Sequence, residues 1–273
     1  MIHPSSPESL SVLGIPVSVF RSYEDAVAVI LSRIARRQQT VCVAVNPEKV
    51  YRAGQDENLR RLLQQADLHL CDGVGVAIAA RLLYRQRLAR VTGIQLFLEL
   101  MGAAEARGLG VFLLGATAES NAGACRRLRR EHPRLRILGS QDGYFQDSGA
   151  VVRRINASGA DMLFVAMGSP KQEEWIAAHR PELRPPFCMG VGGTLDVVSG
   201  RVAWAPAICR KTGTEFLYRL IRQPRRWRRQ RCLPVFLWQV LRCVLSGASG
   251  QRAAASLPDP ASSAPGDSER KAA

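Results

Sequence analysis

The chain predicts an α/β fold: a mainly parallel sheet with helices on both faces, followed by a basic helical appendage. Three observations support this. Short apolar, β-branched runs alternate with segments of helical period along most of the 273 residues. A hydrophobic content of 47% against 22% charged residues is enough to bury a sizeable core. Near Ala205 the alternation stops, and an arginine-rich segment begins.

Taken in order, the first ten residues, MIHPSSPESL, lack the basic start and apolar stretch of a signal peptide and are expected to be flexible. Amphipathic periodicity predicts helices over 23–37, 56–65, 93–107 and 117–131. Between them, TVCVAVN (40–46), ADLHLCDG (66–73) and GVFLLGA (110–116) predict buried strands, as do LRILGS (135–140), DMLFVAMG (161–168) and PFCMGVGG (186–193). Helices between strands imply right-handed crossovers, parallel pairing and a sheet covered on both sides, a Rossmann-like arrangement. Residues 11–205 are therefore expected to form one α/β domain and 206–245 an arginine-rich, amphipathic, membrane-associating appendage. The Ala-, Ser-, Pro- and Gly-rich stretch 246–273 is expected to be a disordered tail.

Charge is unevenly distributed. The chain holds 38 Lys and Arg against 23 Asp and Glu, a net +15, and the stretch from Arg201 to Leu245 holds eleven basic residues and one acidic, Glu215. Such a local excess points to a polyanionic partner or an anionic membrane surface. The apolar run at 232–245 has only fourteen residues and contains Pro234 and Arg242, so no transmembrane helix is expected. Seven cysteines without a CxxC pair suggest reduced thiols in a cytoplasmic protein.

Ligands of such sheets sit beyond the carboxyl ends of the strands, and several predicted strands end there in polar or glycine clusters. Strand 40–46 runs into Asn46-Pro47-Glu48. Strand 66–71 runs into Asp72-Gly73-Val74-Gly75, where glycines permit a tight turn and close approach of a ligand. Partial desolvation would raise the pKa of Asp72 and suit a general base; alternatively, Asp72 caps the helix that begins at Val74. In FVAMGSPKQEEWI (164–176), Pro170 suits a first helical position, and Lys171, Gln172 and Glu173 occupy the first turn. A helix start beside a lysine can hold a phosphate or a sugar; equally, Glu173 can serve the helix dipole while Lys171 is solvated. CMGVGGTLDVVSG (188–200) ends a strand in glycines with Asp196 just beyond. It does not match GxGxxG, so dinucleotide binding is unsupported. There is no P-loop, no HExxH and no Asp-x-Asp, and the four histidines lack ligand spacing, so no metal site is expected. From Arg219 to Arg231 seven arginines surround Trp227 with no acid among them. They suit phosphate groups at a headgroup region, the ordinary alternative being a solvated face.

These motifs, with Arg90-Val91-Thr92-Gly93, Trp204-Ala205-Pro206 and TEFLYRLIRQPRRWRR, resemble the WecG/TagA/CpsF glycosyltransferases in order and spacing over roughly 12–230. The resemblance implies a bacterial, metal-independent, inverting transferase that moves a sugar from a UDP-sugar to an undecaprenyl-diphosphate-linked saccharide, with no further cofactor. It implies Asp72 as the base on the acceptor hydroxyl, Arg90 and Gln172 beside the donor sugar or diphosphate, and Asp196 near the uracil. It further implies an appendage that closes over the site at the inner face of the plasma membrane and contributes Arg219, Arg226 and Arg229. Asn46, Gly73 and Lys171 complete the expected substrate contacts. Two positions depart from the family's pattern, Ala44 for a frequent threonine and Gln95 for an acidic residue, and both bear on the choice of donor or acceptor. UDP-ManNAc, its uronic acid and UDP-glucose are the donors to compare.

Two other readings compete. A basic arm that binds nucleic acid is disfavoured, because Phe236, Leu237, Trp238, Val240 and Leu241 follow the arginines and suit lipid better than a phosphate backbone. A non-catalytic UDP-sugar binder rests on Ala44 alone. A homo-oligomer is compatible with the sequence.

Overall fold

A hairpin opens the fold: β1 (Ser9–Val12) and β2 (Ile15–Ser18) pair antiparallel around Leu13 and Gly14, both at positive φ. Positive φ at both turn residues matches the twist of hairpin strands. Leu10, Val12, Ile15 and Val17 are buried. This corrects the expected flexible stretch 1–10: Ser9 and Leu10 lie in a strand because the Leu10 side chain is enclosed by the core. The structure, a computed structural model, describes residues 7–222 and 227–246, and only the backbone of Lys211, Arg219, Arg228 and Arg229.

After the hairpin come α1 (Tyr23–Ala35), β3 (Thr40–Val45), α2 (Pro47–Ala53), α3 (Glu57–Gln64), β4 (Leu68–Cys71) and α4 (Val74–Tyr84). Next are α5 (Gly93–Arg107), β5 (Gly110–Gly115), α6 (Ala118–Glu131), β6 (Arg136–Gln141) and α7 (Ser148–Ser158). The domain continues with β7 (Met162–Ala166), α8 (Lys171–His179), β8 (Phe187–Gly190) and α9 (Thr194–Val198). Six strands, all parallel, form one sheet in the order β4-β3-β8-β7-β5-β6. All six predicted strands are present, and the α/β class stands.

The sheet divides the core into two layers. On one face α1, α5, α6 and α9 pack against Cys42, Leu70, Leu113, Phe164 and Met189. On the other, α2, α3, α4, α7, α8 and the hairpin pack against Val43, Val45, Leu114, Val165 and Cys188. This arrangement matters at the centre. The helices that follow β3 and β7 go to one face, whereas α9, which follows the strand between them, goes to the other. The connections therefore diverge above β8, the kind of switch point at which α/β sheets bind ligands.

Beyond Ala205 the chain forms α10 (Ala207–Thr212), α11 (Glu215–Arg222), α12 (Trp227–Gln230) and α13 (Cys232–Leu245). α13 packs against α2 and α4, and Phe236 and Val240, one turn apart, enter the core on that face. Pro234 falls in the first turn, where its missing N–H costs nothing. Leu237, Trp238, Leu241 and Leu245 remain exposed. Of the residues expected to suit lipid, Phe236 and Val240 are instead buried in the core, so the run 232–245 is divided lengthwise between core and surface. Among the described residues no helix is long and apolar enough to cross a membrane.

Since Phe236 is 3% exposed, Phe236→Ala is expected to lower the unfolding free energy by about 3 kcal/mol. Urea denaturation followed by circular dichroism checks this; a loss below about 1 kcal/mol would show that α13 is not part of the core.

Candidate active site

The candidate site is built along the carboxyl edge of the sheet, where several helices begin. At the end of β3, Asn46 is the N-cap of α2: its Oδ1 accepts from the Lys49 N–H at 2.9 Å, and Pro47 starts the helix. One strand over, the Asp72 N–H donates to the Val45 carbonyl at 2.9 Å, extending the β3–β4 ladder by one residue. Asp72 then stands half-buried beside Asn46. Gly73, not Asp72, occupies the N-cap of α4 and has no side chain to cap it. Asp72 stands one position before that N-cap. The beginnings of α2 and α4 are pressed together, because a Cβ on Gly75 would lie 2.5 Å from Cγ of Pro47.

Arg90 approaches this corner from the loop before α5. Burial pushes the Cys71 thiol up to about 12, with the adjacent Asp72 adding to the rise and Arg90 opposing it. Both candidate residues therefore act electrostatically on the same strand end. Tyr23 fixes the loop that carries Arg90: its hydroxyl accepts from the Thr92 N–H at 3.0 Å and lies 3.0 Å from the Thr92 hydroxyl. Ala44 lies buried beside Gly93, and Gln95 donates to Glu99 along α5 at 2.8 Å.

The appendage reaches this corner. The Arg90 guanidinium donates to the Arg210 carbonyl, and Gly213 sits against the same guanidinium and against Val74. Arg210 in turn stacks over the Trp204 ring, 3.9 Å from its centre, a cation–π contact. The Trp204-Ala205-Pro206 segment is thus the anchor that brings α10 to the β4 end.

The remaining predicted residues fall at the centre of the sheet. Pro170 is the N-cap of α8, one position earlier than expected, with Lys171, Gln172 and Glu173 in the first turn. Lys171 is exposed, whereas Gln172 and Glu173 are 2% and 4% exposed. Glu173 does more than serve the helix dipole: its Oε1 receives the Lys49 Nζ at 2.7 Å and the Gln172 Nε2 at 2.9 Å. Burial would raise the Glu173 carboxyl, but the Lys49 ammonium and the hydrogen bonds from Lys49 and Gln172 outweigh it and hold the group below its ordinary value. Arg52 adds a bond from α2 to the Ser169 carbonyl at 3.3 Å. On the far side, Oε1 of Gln172 accepts from the Gly192 N–H at 2.9 Å. Asp196 follows in α9, half-buried, and no hydrogen bond or ion pair engages its carboxylate among the described residues. Arg226 and the side chains of Arg219 and Arg229 lie outside the described residues.

The model of the Glycosyl transferase WecG/TagA/CpsF family matches residues 10–250. The chain belongs to this family. As a WecG/TagA/CpsF member it is similar to two curated relatives, each named N-acetylglucosaminyldiphosphoundecaprenol N-acetyl-beta-D-mannosaminyltransferase. One, from Bacillus spizizenii, is 36% identical over 200 residues, covering 73% of this chain and 78% of the relative. The other, from Bacillus subtilis, is 35% identical over 202 residues, covering 74% and 79%.

In this family member, sequence reasoning missed Lys49 and Tyr23 and misjudged Glu173. Lys49 shares the inward face of α2 with Val50 and Ala53, the signal that could have marked it as buried. Tyr23 carried no comparable mark, because its partner Thr92 lies 69 residues away.

The lowered Glu173 carboxyl has a consequence for acid stability. The pair contributes fully above the ordinary glutamate value of about 4.3, and its contribution is lost as pH falls through the lowered native value. Glu173→Gln is expected to cost about 3 kcal/mol at neutral pH and to flatten the acid limb of stability. Denaturation midpoints from pH 7 downward check this; parallel wild-type and variant curves would contradict it.

Proposed function

We propose that this protein is an inverting, metal-independent glycosyltransferase that moves a sugar from a UDP-sugar to a polyprenyl-diphosphate-linked saccharide. The observation that carries the reading is the corner at the β4 end, where the half-buried Asp72 stands beside Asn46 with Arg90 and the appendage closing over it. A nearby base and nearby positive charge are what this displacement requires. The Asp72 carboxylate takes the proton of an acceptor hydroxyl as that oxygen attacks the anomeric carbon. On the opposite face, the bond from the anomeric carbon to the diphosphate oxygen breaks, and the electron pair leaves on UDP. Arg90 stabilises the departing charge, joined by Arg219, Arg226 and Arg229 of the appendage, so that guanidinium groups do the work of a divalent cation. Family membership and the names of the relatives support an acceptor of the diphosphoundecaprenol type. They also make UDP-N-acetylmannosamine the first donor to test.

The same reading places the protein peripherally at the cytoplasmic face of a membrane. Its support is the exposed apolar row of Leu237, Trp238, Leu241 and Leu245 on α13, joined by Ile78 and Leu82 on the neighbouring α4. Basic residues near an anionic bilayer add about 1 kcal/mol each, an attraction weakened by salt. This row also favours lipid over nucleic acid as the partner of the arginine cluster.

Asp72→Asn is expected to lower kcat by about two to four orders of magnitude while UDP binding survives; near-normal turnover would remove Asp72 from the mechanism. Turnover of a synthetic polyprenyl-diphosphate sugar should persist in excess chelator, and restoration of lost activity by Mg²⁺ or Mn²⁺ would refute the guanidinium assignment. Trp238→Ala should reduce sedimentation with anionic liposomes more than it reduces turnover of a short-chain acceptor.

A further inference from the structure

The Lys49–Glu173 pair lies at the heart of the site yet is too buried to touch a substrate. Lys49 and Glu173 are 7% and 4% exposed, and their contact is 2.7 Å. Burying such a pair costs several kcal/mol per ion before their attraction is counted, and apolar residues of similar volume often serve stability as well. Stability alone is therefore a weak reason for the pair, and its hydrogen bonds indicate another.

The shared acceptor, Oε1 of Glu173, binds both Lys49 Nζ and Gln172 Nε2. With Nε2 held there, the amide of Gln172 can turn only one way, and its Oε1 faces the Gly192 N–H. The side chain lies flat against β8, since a Cβ on Gly190 would come within 2.5 Å of Nε2. Gly192 belongs to the turn from which α9 rises, and Thr194 closes that turn by donating its hydroxyl to the Val191 carbonyl at 2.6 Å. This turn stands at the carboxyl end of β8, with α2 and α8 on one face of the sheet and α9 on the other.

We propose that Lys49 and Glu173 are positioning residues that set donor affinity: through Gln172 they fix the Gly192–Gly193 turn on which the nucleotide part of the UDP-sugar rests. The inference builds on the proposed function. It assigns the donor to the carboxyl end of β8 because nucleotides bind at such switch points, and the acceptor to the β4 corner, where the appendage meets Asp72. Neither Lys49 nor Glu173 contacts substrate; the effect passes entirely through the turn.

The test uses the full chain with Glu173→Gln, which keeps the shape but removes the charge that orders Lys49 and Gln172. A small displacement of a binding element costs up to about a hundredfold, so donor KM and the UDP dissociation constant are expected to rise about tenfold or more. Acceptor KM and kcat at saturating donor should change by less than about twofold, the pattern of lost ground-state binding. Amide hydrogen exchange across 190–196 should accelerate in parallel. Leu63→Ala, in the same core layer but away from the turn, controls for destabilisation and should leave donor KM unchanged.

If Glu173→Gln does not fold, Lys49→Met with Glu173→Met replaces the pair by apolar groups. That double variant should fold and still show the donor defect, because Gln172 has lost its anchor. Unchanged donor affinity in either variant, an equal rise in donor and acceptor KM, or unaltered exchange over 190–196 would each overturn the inference. A wild-type protein that binds no UDP-sugar would instead overturn the proposed function, and the exchange measurement would still test whether the pair controls the turn.

Discussion

An ion pair almost out of reach of water holds the beginnings of α2 and α8 together across the centre of the sheet, and the rest of the site is arranged around it. α2 carries Asn46 and packs against α4, next to Asp72 and Gly73. α8 carries Gln172, which reaches the glycine turn after β8. Parallel strands bring all these chain segments to one edge, but parallel pairing alone leaves each helix free to tilt on its apolar face. A charged hydrogen bond is directional and costly to break when buried. The helix starts are therefore held by chemistry that tolerates little displacement, while the layers beneath are held by packing that tolerates more.

Charge is distributed to match. The strand-end corner holds one carboxylate, Asp72, with a guanidinium beside it, and the appendage adds basic residues with almost no acids. The basic excess of the appendage repels itself, and an anionic partner would relieve it. The contact between Arg90 and the Arg210 carbonyl gives part of that charge a neutral partner without cancelling it. The stacking of Arg210 on Trp204 then fixes where the backbone that accepts Arg90 lies.

How much of this could be seen in the sequence varied with the physical signal. The six central strands were legible because both faces of a parallel sheet are covered and the strands read as unbroken apolar runs. The hairpin was not, because two four-residue strands with a proline between their buried positions carry too little period-2 signal. Asp72 stood out by place and by family resemblance, Arg90 by the resemblance alone, and the structure brings them to one corner. Lys49 was hidden by its chemistry: a lysine in Asn-Pro-Glu-Lys looks solvated, and only a partner 124 residues away makes burial tolerable. The run 232–245 read only as apolar, and nothing in it could say that α2 and α4 would cover Phe236 and Val240 and leave Leu237, Trp238 and Leu241 exposed.

The seating of α13 on α2 and α4 bears on how the chain comes into being. Synthesis proceeds from the N-terminus and domains tend to fold as they emerge, yet α13 is made after every other described element. Until it arrives, the groove that Phe236 and Val240 fill stays open, and the helices beside the β4 corner lack their outer support. The nascent protein therefore carries an apolar seam through most of its manufacture, a place for a chaperone to hold or for two unfinished chains to stick together. The helix proposed to meet the bilayer is thus also the one that closes the seam, so completion of the fold and readiness for the membrane would come in a single late event.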